Sequence, residues 1–201
     1  MIRYYKKFYF LKVYENWFSY NFRFWDVFSL NVFFHIKNQV GFIPGIKSNS
    51  YTLELDLTQE TNAIFSDFSK QIRQQVKIAE NEGIECIFHS EIDTFVDFFN
   101  EFAQKKDTFT TSKQRIRDMG GTVKLSFAKY KGQILAAHSY IVDDETLIVR
   151  HLHSATKRLD ENFDRNLIGR ANKYLTVSDI LYFKENGFKI FALICNCYIK
   201  S

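Results

Sequence analysis

A chain of 201 residues, 46% hydrophobic and 25% charged, falls in the range of one globular domain of roughly 100–200 residues and carries enough apolar side chain to close a core, which excludes a disordered or fibrous protein. A net charge of +4 permits attraction to RNA or anionic lipid without demanding either. Three cysteines, Cys86, Cys195 and Cys197, an odd number at no framework spacing, fit a reducing compartment better than a disulfide-stapled scaffold; the Cys-x-Cys pair has no further ligands beside it, so no metal site is expected.

Residues 1–40 are dense in aromatics, and Trp17, Phe18, Tyr20, Phe22, Phe24 and Trp25 alternate loosely, as in a strand. Lys6, Lys7, Lys12, Glu15, Arg23 and Asp26 interrupt every apolar run there, and none reaches the roughly 18 uncharged residues of a membrane-spanning helix. With no secretory leader pattern either, the cytoplasm is the expected location. Residues 41–50 hold the only proline, Pro44, between Gly41 and Gly45, and read as a linker. The expected division is an N-terminal segment over 1–50 and a main domain over 51–201.

Residues 51–57 alternate apolar and polar side chains and predict a half-buried strand. Ile64, Phe65, Phe68, Ile72, Val76 and Ala79 recur every three or four positions, predicting one amphipathic helix over 63–82 that stops at Gly83. A short strand at 84–89 follows, then a helix over 92–103 turning Phe95, Val96, Phe98, Phe99 and Phe102 to the core, and a short helix over 112–119 ended by Gly120-Gly121. Strands at 123–130, 133–142 and 146–154 are joined by turns suited to antiparallel hairpins. After a polar connection, a helix reaches Asn186 with Gly187 as its stop, and 188–194 is an apolar strand. Crossover connections are right-handed, which places this last strand parallel to the one ending at Ser154. The expected fold is α/β: a mixed, mostly antiparallel sheet flanked by helices.

Residues 68–80 (FSKQIRQQVKIAE) ahead of Gly83-Ile84-Glu85, residues 126–140 (SFAKYKGQILAAHSY), and residues 165–175 (RNLIGRANKYL) followed by 182–187 (YFKENG) occur in an order and spacing that resemble the FemAB-like branch of the GNAT acyltransferases. The resemblance spans about residues 51–191. It implies acyl transfer onto an amine, with acetyl-CoA or another acyl-CoA as donor, or an aminoacyl group from charged tRNA as in the Fem ligases. The acceptor would be a small-molecule or peptidoglycan-precursor amine, with tRNA as a candidate partner.

Two departures stand out. Family members continue the last strand into Asp-x-Gly-Gly, whereas residues 191–201 here read FALICNCYIKS, so the closing C-terminal strand pair is expected to be missing, as after truncation or a frame shift, with an open sheet edge left behind. The loop that grips the pyrophosphate in GNAT proteins, Gln or Arg-x-x-Gly-x-Gly or Ala, is matched by Asn166-Leu-Ile-Gly169-Arg170-Ala171 between strand and helix, with Asn where Gln or Arg is usual. Small residues at a helix N-terminus let backbone N–H groups reach phosphate oxygens, and Arg165 and Arg170 add charge; Asn166 to Asn172 is thus the expected donor segment. The same Gly169 and Ala171 equally fit plain close packing of the helix.

Transfer to an amine calls for a proton acceptor and an oxyanion stabiliser. His138, His151 and His153 fall in the central hairpin, and strand alternation puts His151 and His153 on one face as neighbours. They read as candidate bases or as packed strand histidines, and no Asp or Glu is placed by spacing to orient them. Two histidines two residues apart lack a third metal ligand. Arg73 and Lys77, one helical turn apart, and Arg150 are candidates for substrate or phosphate contact or a solvated face. None of the cysteines is placed as a nucleophile with its base, so direct attack by the acceptor is expected. The rival readings are a non-catalytic interaction module on the same truncated fold and an RNA-binding domain.

Overall fold

The structure, a computed structural model, describes residues 2–8, 11–18, 29–36, 46 and 52–193. Tyr20, Phe22, Phe24, Trp25, most of the linker, both C-terminal cysteines and the run at 194–201 that bears on a missing strand pair lie outside the described residues. Three strands open the chain: β1 (Ile2–Phe8) and β2 (Leu11–Trp17) form an antiparallel hairpin, and β3 (Leu30–Phe34) joins β2 in parallel, Val13 opposite Leu30. Trp17 stacks on Phe34 at 4.5 Å between ring centroids. Ile2, Trp17 and Phe18 belong to the same apolar cluster as Phe95, Phe98, Phe99 and Ile116, far along the chain. A buried Glu15 accepts from Tyr4 Oη at 2.7 Å and faces Arg115 at 3.3 Å, satisfying a carboxylate that burial alone would make costly.

β4 (Leu53–Asp56) leads into α1 (Thr61–Asp67) and α2 (Lys70–Asn81), where the periodicity predicts a single helix. The break has a local cause. Ser69 takes an extended conformation and its hydroxyl accepts from Ile72 N at 3.3 Å, so a hydroxyl able to cap starts a new helix while the apolar spacing runs on undisturbed. β5 (Glu85–Phe88), α3 (Ile92–Lys105) and α4 (Lys113–Asp118, capped by Ser112) follow as expected. The meander is β6 (Val123–Tyr130), β7 (Gln133–Asp143) and β8 (Ile148–Thr156); α5 (Arg165–Glu185) and β9 (Ile190–Leu193) complete the fold. At Gly187 (φ +84°) the N–H groups of Gly187 and Phe188 return to Lys184 O and Phe183 O, a stop that needs the left-handed region glycine supplies.

The main sheet has six strands in the order β4-β9-β8-β7-β6-β5, antiparallel throughout except for β8 and β9. The mixed α/β fold and the parallel last strand are as the sequence predicts. The outer side of β9, the expected open edge, is occupied by β4, with Leu53 opposite Leu193. A strand from much earlier in the chain fills that place, a long-range pairing that no local pattern reveals. Helices α2 and α5 cover one face, where Ala79, Ile168, Ala171 and Leu175 pack on Ala128, Leu135 and Ala136. The other face carries α3, α4 and the N-terminal sheet. With both faces covered, β7 is buried almost end to end.

Candidate functional site

The first turns of α5 carry most of the residues expected to bind a donor. Asn166 to Ala171 are helical, not a loop ahead of the helix: Asp164 caps α5, its Oδ1 accepting from Asn166 N at 2.8 Å, and the helix begins at Arg165. Arg165, Asn166, Gly169 and Arg170 line a cavity of about 250 Å³ together with Gln75, Ile78, Arg158 and Lys173. Of its cations, Arg170 is held by Glu82 (Nε to Oε2, 2.8 Å) and Lys173 donates to Gln75, while among the described residues Arg158 and Arg165 have no ion-pair partner. A Cβ built on Gly169 meets nothing within 4 Å, so close packing does not account for this glycine. Ala171 is fully buried against the sheet and does not face the cavity. Arg158 and Lys173 were not among the expected residues; their nearness depends on the turn before α5 and on the helical spacing of Lys173 from Gly169.

Deeper on the same face lies a polar cluster. His138 on β7 places Nδ1 2.8 Å from Asp179 Oδ2 and Nε2 3.0 Å from Asn172 Oδ1, both on α5. Tyr140 donates to the same Asp179 oxygen at 2.5 Å, and His151 packs on the Tyr140 ring at 4.9 Å and beside His138 at 4.8 Å. Burial and the Asp179 charge push the Tyr140 phenol well above its ordinary value, and burial followed by the neighbouring His138 pushes His151 well below, so both are neutral. The carboxylate absent from the expected set is therefore Asp179. Its one sequence signal is a charge on the buried stripe of α5, four residues after Leu175 and four before Phe183.

The expected pairing of His151 with His153 does not occur. Opposite β7 the register passes from Ser139↔His153 to Tyr140↔His151, leaving Leu152 as an extra residue, and this bulge turns the two histidines to opposite faces. His151 faces α5 and its Nε2 donates to the backbone oxygen of His153 at 2.9 Å, whereas His153 lies against Phe99 at 4.8 Å with Nδ1 2.7 Å from Ser139 Oγ. Burial, and then Arg115, lowers His153 to about 4. Arg73 and Lys77 stand one turn apart on α2, as the spacing predicts, Arg73 donating to Ser66 O at 2.7 Å and Lys77 exposed; Arg150 is apart from them, on the opposite face of the sheet, where it meets His35 Nδ1 at 2.7 Å. Among the described residues no group of acidic, histidine or cysteine side chains could hold a metal ion, and no helix is long and apolar enough to cross a membrane.

The parallel pair β8–β9 is short. Only Ile148 to Arg150 are matched by β9, and beyond them, among the described residues, β8 has no neighbour on that side. A six-stranded, mostly antiparallel sheet, with helices on both faces and its one parallel pair joined through a long helix, is a GNAT-like fold. Among solved structures, the chain is similar to FemX (TM-score 0.59, 10% identity, covering 70% of this chain and 52% of that one). It is also similar to the C-terminal domain of a protein described as a lysylphosphatidylglycerol synthetase from Agrobacterium fabrum (TM-score 0.52, 14% identity, 71% and 44%) and to L-PGS from Bacillus licheniformis (0.50, 13%, 71% and 45%). The chain thus spans about half the length of these structures. No family model and no curated protein matches the sequence.

Proposed function

We propose that the chain is an acyltransferase domain that moves an acyl or aminoacyl group from a phosphate-bearing donor, acyl-CoA or aminoacyl-tRNA, onto an amine. The observation that carries this reading is the cavity at the start of α5, where Arg158, Arg165, Arg170 and Lys173 converge around an unpacked Gly169 on a GNAT-like scaffold. Four cations, of which Arg158 and Arg165 have no ion-pair partner among the described residues, suit the charge of phosphates, and a helix N-terminus adds its dipole to the same end. The edge of β8 that is unmatched among the described residues offers backbone donors and acceptors to an extended chain leading away from it. His138 is the proposed proton acceptor for the attacking amine. The acceptor is a small-molecule or peptidoglycan-precursor amine in this reading, and a cytoplasmic setting, where both donors occur, belongs to the same proposal.

A second reading, a fold that binds a partner without catalysis, is favoured by a specific observation. Asp164 already caps α5 and Glu82 already engages Arg170, so part of the site is satisfied with nothing bound. Calorimetric titration with acetyl-CoA and, in parallel, with coenzyme A decides between them. Micromolar binding that disappears in Gly169→Trp is the expected result. A folded chain with no heat for either ligand refutes the coenzyme A version, and the same experiment with charged tRNA then tests the other donor.

A further inference from the structure

The polar cluster beneath α5 has features that packing does not explain. The His138 side chain is 1% exposed and that of Asp179 0%, and among the described residues Asp179 Oδ1 has no hydrogen-bond partner. A carboxylate held in the core with one oxygen unsatisfied costs stability, and an apolar residue would extend the stripe formed by Leu175, Ile180 and Phe183. The groups facing the ring are all in view: Tyr140 on its own strand, His151 on β8, Ser126 opposite it on β6, and Asp179 and Asn172 on α5. Burial and, to a smaller extent, the Asp179 charge push the thiol of Cys86 on β5 up to about 12.

We infer that Asp179 is the positioning residue for His138, holding the ring with its Nδ1–H donated to Oδ2, and that Asn172 is the movable cover over Nε2. The inference rests on His138 serving as proton acceptor in the transfer proposed above. The Asn172 amide suits both charge states of the ring: its oxygen accepts from a protonated Nε2, and a half-turn presents its N–H to a bare one. A proton taken from the attacking amine by the Nε2 lone pair makes an imidazolium. Its Nδ1–H stays bonded to Asp179, and no proton crosses to the carboxylate. Asn172 is half-buried and stands one residue before Lys173 and three after Gly169, both on the cavity, which puts the cover over Nε2 on the segment of α5 that lines it.

Nitrogen-15 correlation spectra of the full chain with labelled histidine test this without any donor. The resonances of His138, identified by their loss in His138→Gln, are expected to show the neutral ring protonated at Nδ1. Asp179→Ala should shift the ring to the Nε2–H form that an unconstrained imidazole prefers. Asn172→Ala should keep the Nδ1–H form and speed carbethoxylation of His138 by diethyl pyrocarbonate by about tenfold, the scale of losing one covering hydrogen bond. A wild-type ring protonated at Nε2, an unchanged tautomer in folded Asp179→Ala, or unchanged reactivity in Asn172→Ala overturns the inference; if Asp179→Ala does not fold, the other two readings decide. Failure of coenzyme A binding leaves these spectra unaffected, so the two proposals fail separately.

Discussion

Gly169 offers a direct test because stability and function pull in opposite directions there. The residue sits in the second turn of a 21-residue helix, outside the left-handed region, and a Cβ added to it meets nothing within 4 Å. A glycine inside a helix costs roughly 0.5–1 kcal/mol relative to alanine, through the wider freedom of the unfolded chain, and no steric penalty offsets that gain here. Gly169→Ala is therefore expected to stabilise the fold by that amount. For a domain of this size about 1 kcal/mol moves Tm by roughly 2–4 °C, so the melting temperature should rise by about 1–4 °C in scanning calorimetry without ligand. The same methyl group stands on the cavity floor and should weaken acetyl-CoA binding several-fold, and the indole of Gly169→Trp should abolish it. A lower Tm in Gly169→Ala would refute the structural reasoning. A higher Tm with unchanged binding would show that the glycine serves no ligand.

Acid should destabilise the protein partly through His153. Burial and Arg115 lower it from 6.5 to about 4, so between those values the unfolded chain binds a proton that the folded one does not. Stability is therefore fully present above pH 6.5 and is lost toward pH 4, by about 3 kcal/mol at most. His153→Gln keeps a partner for Ser139 Oγ and should flatten this part of a urea-derived stability profile; a variant with the wild-type slope would contradict it. Phe183, fully buried against Tyr140, Phe188 and Phe191, should cost about 3–5 kcal/mol as Phe183→Ala, read from the urea midpoint; a loss under about 1 kcal/mol would mean that the α5 face is not tightly packed.

What the sequence made legible was whatever is written within a few neighbouring residues. The hairpin of β6 and β7, the phenylalanine stripe of α3 and the stop at Gly187 each depend on contacts at short spacing, and each is found where the pattern puts it. The break at Ser69 escaped because capping and amphipathic spacing compete there, and the apolar pattern is indifferent to the outcome. The bulge at Leu152 escaped because one extra residue leaves the strand apolar while reversing which histidine faces which helix. Asp179 was harder still, since its partner His138 is 41 residues away and only the closing of α5 over β7 joins them. Yet Asp179 was visible as a misfit, a charge on a helix stripe that otherwise reads Leu175, Ile180 and Phe183. Counting histidines by strand parity put His153 in the wrong company, whereas asking which charged residue interrupts an apolar stripe would have led to the buried cluster. Desolvating a carboxylate is expensive wherever it occurs, so a chain that keeps one in its core has a partner for it there, and that partner is the histidine to test first.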